Sequence, residues 1–124
     1  MTNGDHVTRT LLLSKKQVGT LIVTRGSGSN LDADAEVLSS GHSQIKAFNL
    51  LTRTGTYDFL HDGMLLGWGM RNDVGIDEHP STGGLYSVEN GADNVLRMGV
   101  DIHQNNPAEV SRKLFLVFAS SSSD

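Results

Sequence analysis

The chain contains no cysteine, only two prolines, and few aromatics: one tryptophan, two tyrosines and four phenylalanines. Without cysteine there is no disulfide, no thiolate nucleophile and no thiolate metal site. No apolar run approaches the roughly 18 residues that a membrane-spanning helix needs, so no membrane partner is expected. Basic residues are also scarce, ten against fourteen acidic ones, for a formal net charge of −4. They are scattered, with only Lys15–Lys16 and Arg112–Lys113 adjacent. Nucleic-acid binding requires several phosphates to be neutralised together, which this distribution disfavours. The first residues, Met1-Thr2-Asn3-Gly4-Asp5-His6, are polar and lack a signal-peptide pattern. Synthesis in a cytoplasm is expected from this, with the final location open and a virion among the candidates.

Glycine, in contrast, is abundant. Fourteen of 124 residues are glycine, and they cut the chain into short apolar stretches. Glycine supplies positive-φ turns without steric cost. Short β-branched and aromatic runs between such turns predict an all-β domain. The expectation is one domain over residues 1–124. It is an antiparallel β-sandwich of about eight strands, jelly-roll or other Greek-key in topology, with short polar arms at both ends.

The strands are read from alternation. Val7–Leu13 and Gln17–Thr24 flank a polar turn at Ser14-Lys15-Lys16. Gln44–Thr52 places Ile45, Ala47 and Asn49 on one face and Lys46, Phe48 and Leu50 on the other. Thr56–Leu60 and Met64–Met70 enclose His61-Asp62-Gly63, a tight-turn signal. Arg71–Gly84 reads as a long polar surface loop. Leu85–Val88 and Asn94–His103 follow as strands, the second half-buried. Leu114-Phe115-Leu116-Val117-Phe118 is the most apolar run and suits a strand buried on both faces. A helix starting near Pro107 is the competing reading for 107–119, and the crowding of Phe and Val favours the strand. Asp34–Leu38 has room for one helical turn, with Asp32 as its N-cap.

Few residues point to chemistry. Asp32, Asp34 and Glu36 alternate as oxygen ligands do in calcium loops, but Ala35 stands where the loop needs glycine and Gly41 where it needs glutamate. The plain alternative is a solvated acidic loop. His61, Asp77 and His79 supply imidazoles and a carboxylate to a zinc site only if two separate loops meet; otherwise they are surface residues. No G-x-S-x-G nucleophile elbow occurs. Gly26-Ser27-Gly28 lacks the Lys-Ser/Thr of a phosphate-cradling loop. Trp68, Tyr57 and Tyr86 are the amphipathic aromatics, suited to an interface or a sugar-binding surface; Trp68 between Gly67 and Gly69 equally suits a core position.

Absence of motifs therefore weighs heavily. The leading expectation is a non-enzymatic, self-assembling structural subunit of coat, decoration or fibre type, without cofactor. It would form homo-oligomers, with other structural subunits or a glycan as further partners. Trp68, Tyr57, Tyr86, Asp77 and His79 are its candidate ligand or interface residues. The alternatives are a lectin-like carbohydrate-binding module, calcium-assisted through Asp32 and Asp34, and a small metal-dependent hydrolase.

Overall fold

Near-continuous burial along β2 (Thr20–Arg25) and β3 (Gln44–Asn49) organises the molecule. In this computed structural model, which describes His6, residues 8–102 and the backbone of Val110–Leu114, both strands are covered on both faces. Ile22, Ile45 and Ala47 point one way and join Met70, Ile76 and Leu85 in one core. Val23 and Phe48 point the other way and join Phe59 in a second. Side chains alternate along a strand, so a run such as Leu21-Ile22-Val23 feeds two cores at once.

The first sheet is antiparallel, in the order β1 (Leu11–Leu13), β2, β3, β4 (Met64–Trp68). The second has the order β5 (Asn72–Glu78), β6 (Leu85–Asn90), β9 (Val110–Leu114). A two-residue-per-strand hairpin, β7 (Leu96–Arg97) and β8 (Val100–Asp101), follows β6 in the chain and forms its own small sheet. The all-β class with two packed antiparallel sheets is the one expected. Neighbours in the first sheet are consecutive in sequence, so a meander stands there in place of a Greek-key crossover.

Polar clips hold the layers in register. The Glu78 carboxylate, at the end of β5, accepts hydrogen bonds from Ser14 Oγ at 2.7 Å and from the Lys15 and Lys16 amides at 2.6 and 3.3 Å. This fastens the β1–β2 turn to the second sheet. On the other side, buried Lys46 donates Nζ to the carbonyls of Phe59, Leu60 and Asp62 at 2.7, 3.1 and 3.4 Å. Burial lowers its pKa, and Asp58 and Asp62 push it back up.

Several expected elements differ in the structure. Arg71–Gly84 is not a loop: its first half is β5, whose polar residues Asn72, Asp73 and Glu78 are buried. Polarity disguised the alternation. Thr56–Leu60 is a turn segment instead of a strand. Tyr57 and Phe59 drop from it onto Phe48, with ring centroids 5.2 and 6.0 Å away. Of the expected strand Asn94–His103, Leu96–Asp101 folds as the β7–β8 hairpin, reversing at Met98 and Gly99, both at positive φ (51° and 78°), and His103 lies outside the described residues. In the 107–119 region Val110–Leu114 is strand; Phe115–Phe118 lie outside the described residues.

Candidate functional site: a clamped loop between two cavities

The chain leaves β2 at Gly26 and returns to β3 at Gln44 through a long excursion with two short 3₁₀ turns, Ala33–Glu36 and Leu38–Ser40. Asp32 caps the first turn, as the sequence suggested, by accepting from Asp34 N at 3.0 Å. The same carboxylate accepts from Gly28 N at 2.5 Å and pairs with His42 Nδ1 at 2.6 Å. Burial raises the Asp32 pKa, but the bonds from Gly28, His42 and Asp34 outweigh it and hold the carboxyl below its ordinary value.

Strand ends close the excursion. Trp68 Nε1, at the end of β4, donates to the Ala35 carbonyl at 2.9 Å. Gln44 Nε2 donates to the Leu38 carbonyl at 2.6 Å. Arg71 NH2 reaches Asn30 Oδ1 at 2.6 Å and Asp93 Oδ2 at 2.9 Å. Asn30 also bonds the backbone of Asp93 in both directions. Ser27 N donates to the Arg71 carbonyl, and Gly69 N to the Ser43 carbonyl.

A cavity opens on each side of the excursion. One, of about 570 Å³, is lined by Ser27, Asn30, Asp32, Glu36, Ser43 and Arg71, among others. The other, of about 450 Å³, is lined by Arg25, Ser40, His42, Tyr57, Asp58, Phe59 and Leu60. Nearby, three buried polar atoms make no hydrogen bond among the described residues: Ser43 Oγ, Asn72 Oδ1 and Asp73 Oδ2. Burial pushes the Asp73 carboxyl up to about 6, Gly75 N lowers it, and Glu89 opposite raises it again.

The residues singled out from sequence are distributed unevenly around this site. Trp68 belongs to it as a clamp on the loop and is half-exposed. Tyr57 belongs to it as well; its hydroxyl donates to the Asn49 carbonyl while Arg53 lies over its ring, 5.0 Å from the centroid. Tyr86 and Asp77 are cross-strand partners on the second sheet, and the His79 ring lies tilted to that of Tyr86, centroids 6.4 Å apart. None of these three lines either cavity. His79 Nδ1 accepts from the Ser81 and Thr82 amides in its own turn, and His61 pairs with Asp58. Among the described residues His61, Asp77 and His79 form no metal-ligand group.

Asp32 and Asp34 do come together, with His42 instead of Glu36. His42 was missed because its partner is ten residues away across a non-repeating loop. The Asp32 oxygens face N–H donors, which satisfy a carboxylate without a cation. Arg25 and Arg71 were also missed, since only the fold shows that one guanidinium is buried and the other bridges two loops.

The chain is thus a two-sheet β-protein with a clamped loop beside two cavities, and the comparisons with known proteins give its family. The TrAA12-like family profile matches residues 1–120, and the chain belongs to that family. It is 52% identical over 112 residues to a pyrroloquinoline quinone-dependent sugar dehydrogenase of Hypocrea jecorina, covering 88% of this chain and 26% of that protein. It is 40% identical over 115 residues to a pyrroloquinoline quinone-dependent pyranose dehydrogenase of Coprinopsis cinerea, covering 88% and 16%. Its fold matches a calcium structure of Trichoderma reesei Carbohydrate-Active Enzymes Family AA12 with a TM-score of 0.87 at 47% identity, over 98% of this chain and 30% of that one. It also matches the holo form of the pyranose dehydrogenase PQQ domain from Coprinopsis cinerea, with a TM-score of 0.72 at 33% identity, over 91% and 26%.

The chain thus spans about a quarter of the H. jecorina relative. These relatives overturn the expectation of a non-enzymatic, cofactor-free coat or virion subunit, together with its lectin and metal-hydrolase alternatives. They are named as quinone-dependent oxidoreductases of sugars. A motif search misses such a family because the signal is spread along the whole chain and carries no short nucleophile or metal signature.

Proposed function

We propose that this chain is a structural quarter of a quinone-dependent sugar oxidoreductase, supplying one wall of the enzyme and not a complete active site. The match of one family along residues 1–120 carries this reading. The short span relative to the longer enzymes limits it to a part.

Pyrroloquinoline quinone is a planar tricarboxylate, so its receptor needs cationic groups. When bound, such a quinone accepts two electrons and the accompanying protons from a sugar alcohol carbon. The larger cavity does not fit it. Among the described residues its one cation, Arg71, is already engaged by Asn30 and Asp93, while Asp32 and Glu36 add negative charge. The smaller cavity has a better donor set, with the Arg25 guanidinium and the His42 imidazole on its wall. Among the described residues, these two groups would suit one carboxylate of such a cofactor and do not make a complete receptor for three. What the chain itself does is hold these groups in place. Asp32 orients His42, and the Ser40 carbonyl orients Arg25 at 3.2 Å.

A segment replacement tests this. This chain is exchanged for the matching 112-residue stretch of the H. jecorina dehydrogenase. The chimera is expected to oxidise sugar with a dye acceptor only when pyrroloquinoline quinone is added, within about tenfold of the parent. A chimera that melts like the parent yet shows no quinone-dependent turnover overturns the proposal.

A further inference from the structure

The tip of the β7–β8 hairpin carries a residue that its backbone does not favour. Arg97 pairs with Val100, so Met98 and Gly99 alone make the turn. Both have positive φ, 51° and 78°, as the two central residues of a type I′ turn do. Such a turn favours Asn-Gly, because those residues tolerate the left-handed region and a bulky side chain there is strained. Gly99 meets that demand, and Met98 does not.

Burial does not compensate. Met98 is 96% exposed, more than any other large hydrophobic residue among those described. Leu96 and Val100 lie on opposite faces of the ladder and are 66% and 64% exposed. The hairpin forms a small sheet of its own, so its tip stands clear on both faces. A side chain that is strained and also unpacked contributes nothing to stability, and its use lies in its own chemistry.

That chemistry is a thioether's. The chain has no cysteine, so methionine supplies every sulfur nucleophile in it. The three methionines among the described residues differ sharply in access. Met70 is 2% exposed and packed with Ile22, Ile45 and Ile76. Met64, at the start of β4, is 38% exposed and lines a cavity of about 460 Å³ with Phe48 and Tyr57. Met98 has no such cover. An oxidant must reach sulfur directly, and water must be at hand to carry the proton of the transferred oxygen. Both requirements select the hairpin tip.

We propose that Met98 is a modification site, an exposed thioether that takes one oxygen atom from a hydroperoxide. The sulfur lone pair attacks the terminal peroxide oxygen, and the S–O bond forms as the O–O bond breaks. The proton on the transferred oxygen passes through water to the leaving oxygen, which departs as water or, from an organic hydroperoxide, as an alcohol. Sulfur is oxidised by two electrons and the peroxide is reduced by two. The product is a sulfoxide, which a methionine sulfoxide reductase can return to the thioether. Because Met98 packs on nothing, the change makes the hairpin tip polar and leaves both cores intact. Nothing in this chemistry requires the quinone or the sugar.

The full chain, treated with hydrogen peroxide at neutral pH and followed by peptide mass mapping, tests this. Trypsin cuts after Arg97 and places Met98 at the head of its own peptide, while Met64 and Met70 share another and are told apart by fragment ions. Met98 is expected to oxidise at least about threefold faster than Met64 and about thirtyfold faster than Met70. In urea the three rates should converge. Protein oxidised at Met98 alone should melt like the untreated chain, and sulfoxide reductase should restore its mass. Met98→Leu should remove the fast reaction. Met98→Asn should remove it too and raise the melting temperature, since asparagine suits the turn. A Met98 rate in the native chain no faster than that of Met64 or Met70 overturns the proposal. So does a melting temperature that falls on oxidation of Met98 alone or on Met98→Asn.

Discussion

Asp73 shows how one side chain can work against the fold at neutral pH. It is 1% exposed, one of its oxygens makes no hydrogen bond among the described residues, and Glu89 lies opposite. Its pKa rises to about 6 when folded, against roughly 3.9 for a free aspartate. Between those values the unfolded chain releases the proton first. Stability therefore falls as pH rises from about 4 to 6, and the penalty stays above 6, on the order of 3 kcal/mol at most. Asp73→Asn is expected to raise the melting temperature at pH 7.5 and change it little at pH 4, as calorimetry at both values would show. An equal shift at both pH values would mean that ionisation is not the cause. The sequence offered no hint of this, since Asp73 sits in a polar stretch that reads as solvent-exposed.

The loop between β2 and β3 is the element that most repays comparison with its sequence. The N-cap role of Asp32 was legible because a short acidic residue before a turn is a local signal. The second role, holding His42, was not, because it depends on where the loop comes back. Asp32→Ala removes both at once. It is expected to cost about 1–2 kcal/mol in denaturant unfolding, with Asp32→Asn losing less because the amide oxygen still accepts. The Asp32 pKa is lowered on folding, so this contribution is complete at neutral pH and fades as acid protonates the folded carboxylate. Elsewhere the alternation of β3 was read correctly, face by face, while β5 was missed. The difference is composition: Ile45, Ala47 and Phe48 advertise a buried strand, whereas Asn72 and Asp73 do not.

At the scale of the whole molecule, the sheets meet through Ile22, Ile45, Met70, Ile76 and Leu85. Leu85→Ala empties part of a fully buried site, and about 2–5 kcal/mol of stability should be lost in urea titration. The outer face of β1 behaves differently. Leu11 and Leu13 are 65% and 58% exposed, so Leu13→Thr should change the stability of this chain by less than about 0.5 kcal/mol. Sequence patterning conveyed the all-β class because glycine punctuation and strand alternation are local properties. It did not convey the catalytic family. The family match runs along residues 1–120 without a short nucleophile or metal signature, and low motif content reads like that of a structural protein.

Trp68 is the chain's single tryptophan, and its indole N–H is tied to Ala35 at the tip of the clamped loop. The emission of this protein therefore has one dominant source, placed at the end of β4 and tied to the loop beside the two cavities. Breaking the bond to Ala35 should shift the emission to the red and raise iodide quenching before circular dichroism records any loss of strand. Stopped-flow fluorescence thus gives the opening rate of this loop without an added label, on a signal that the sheets do not obscure.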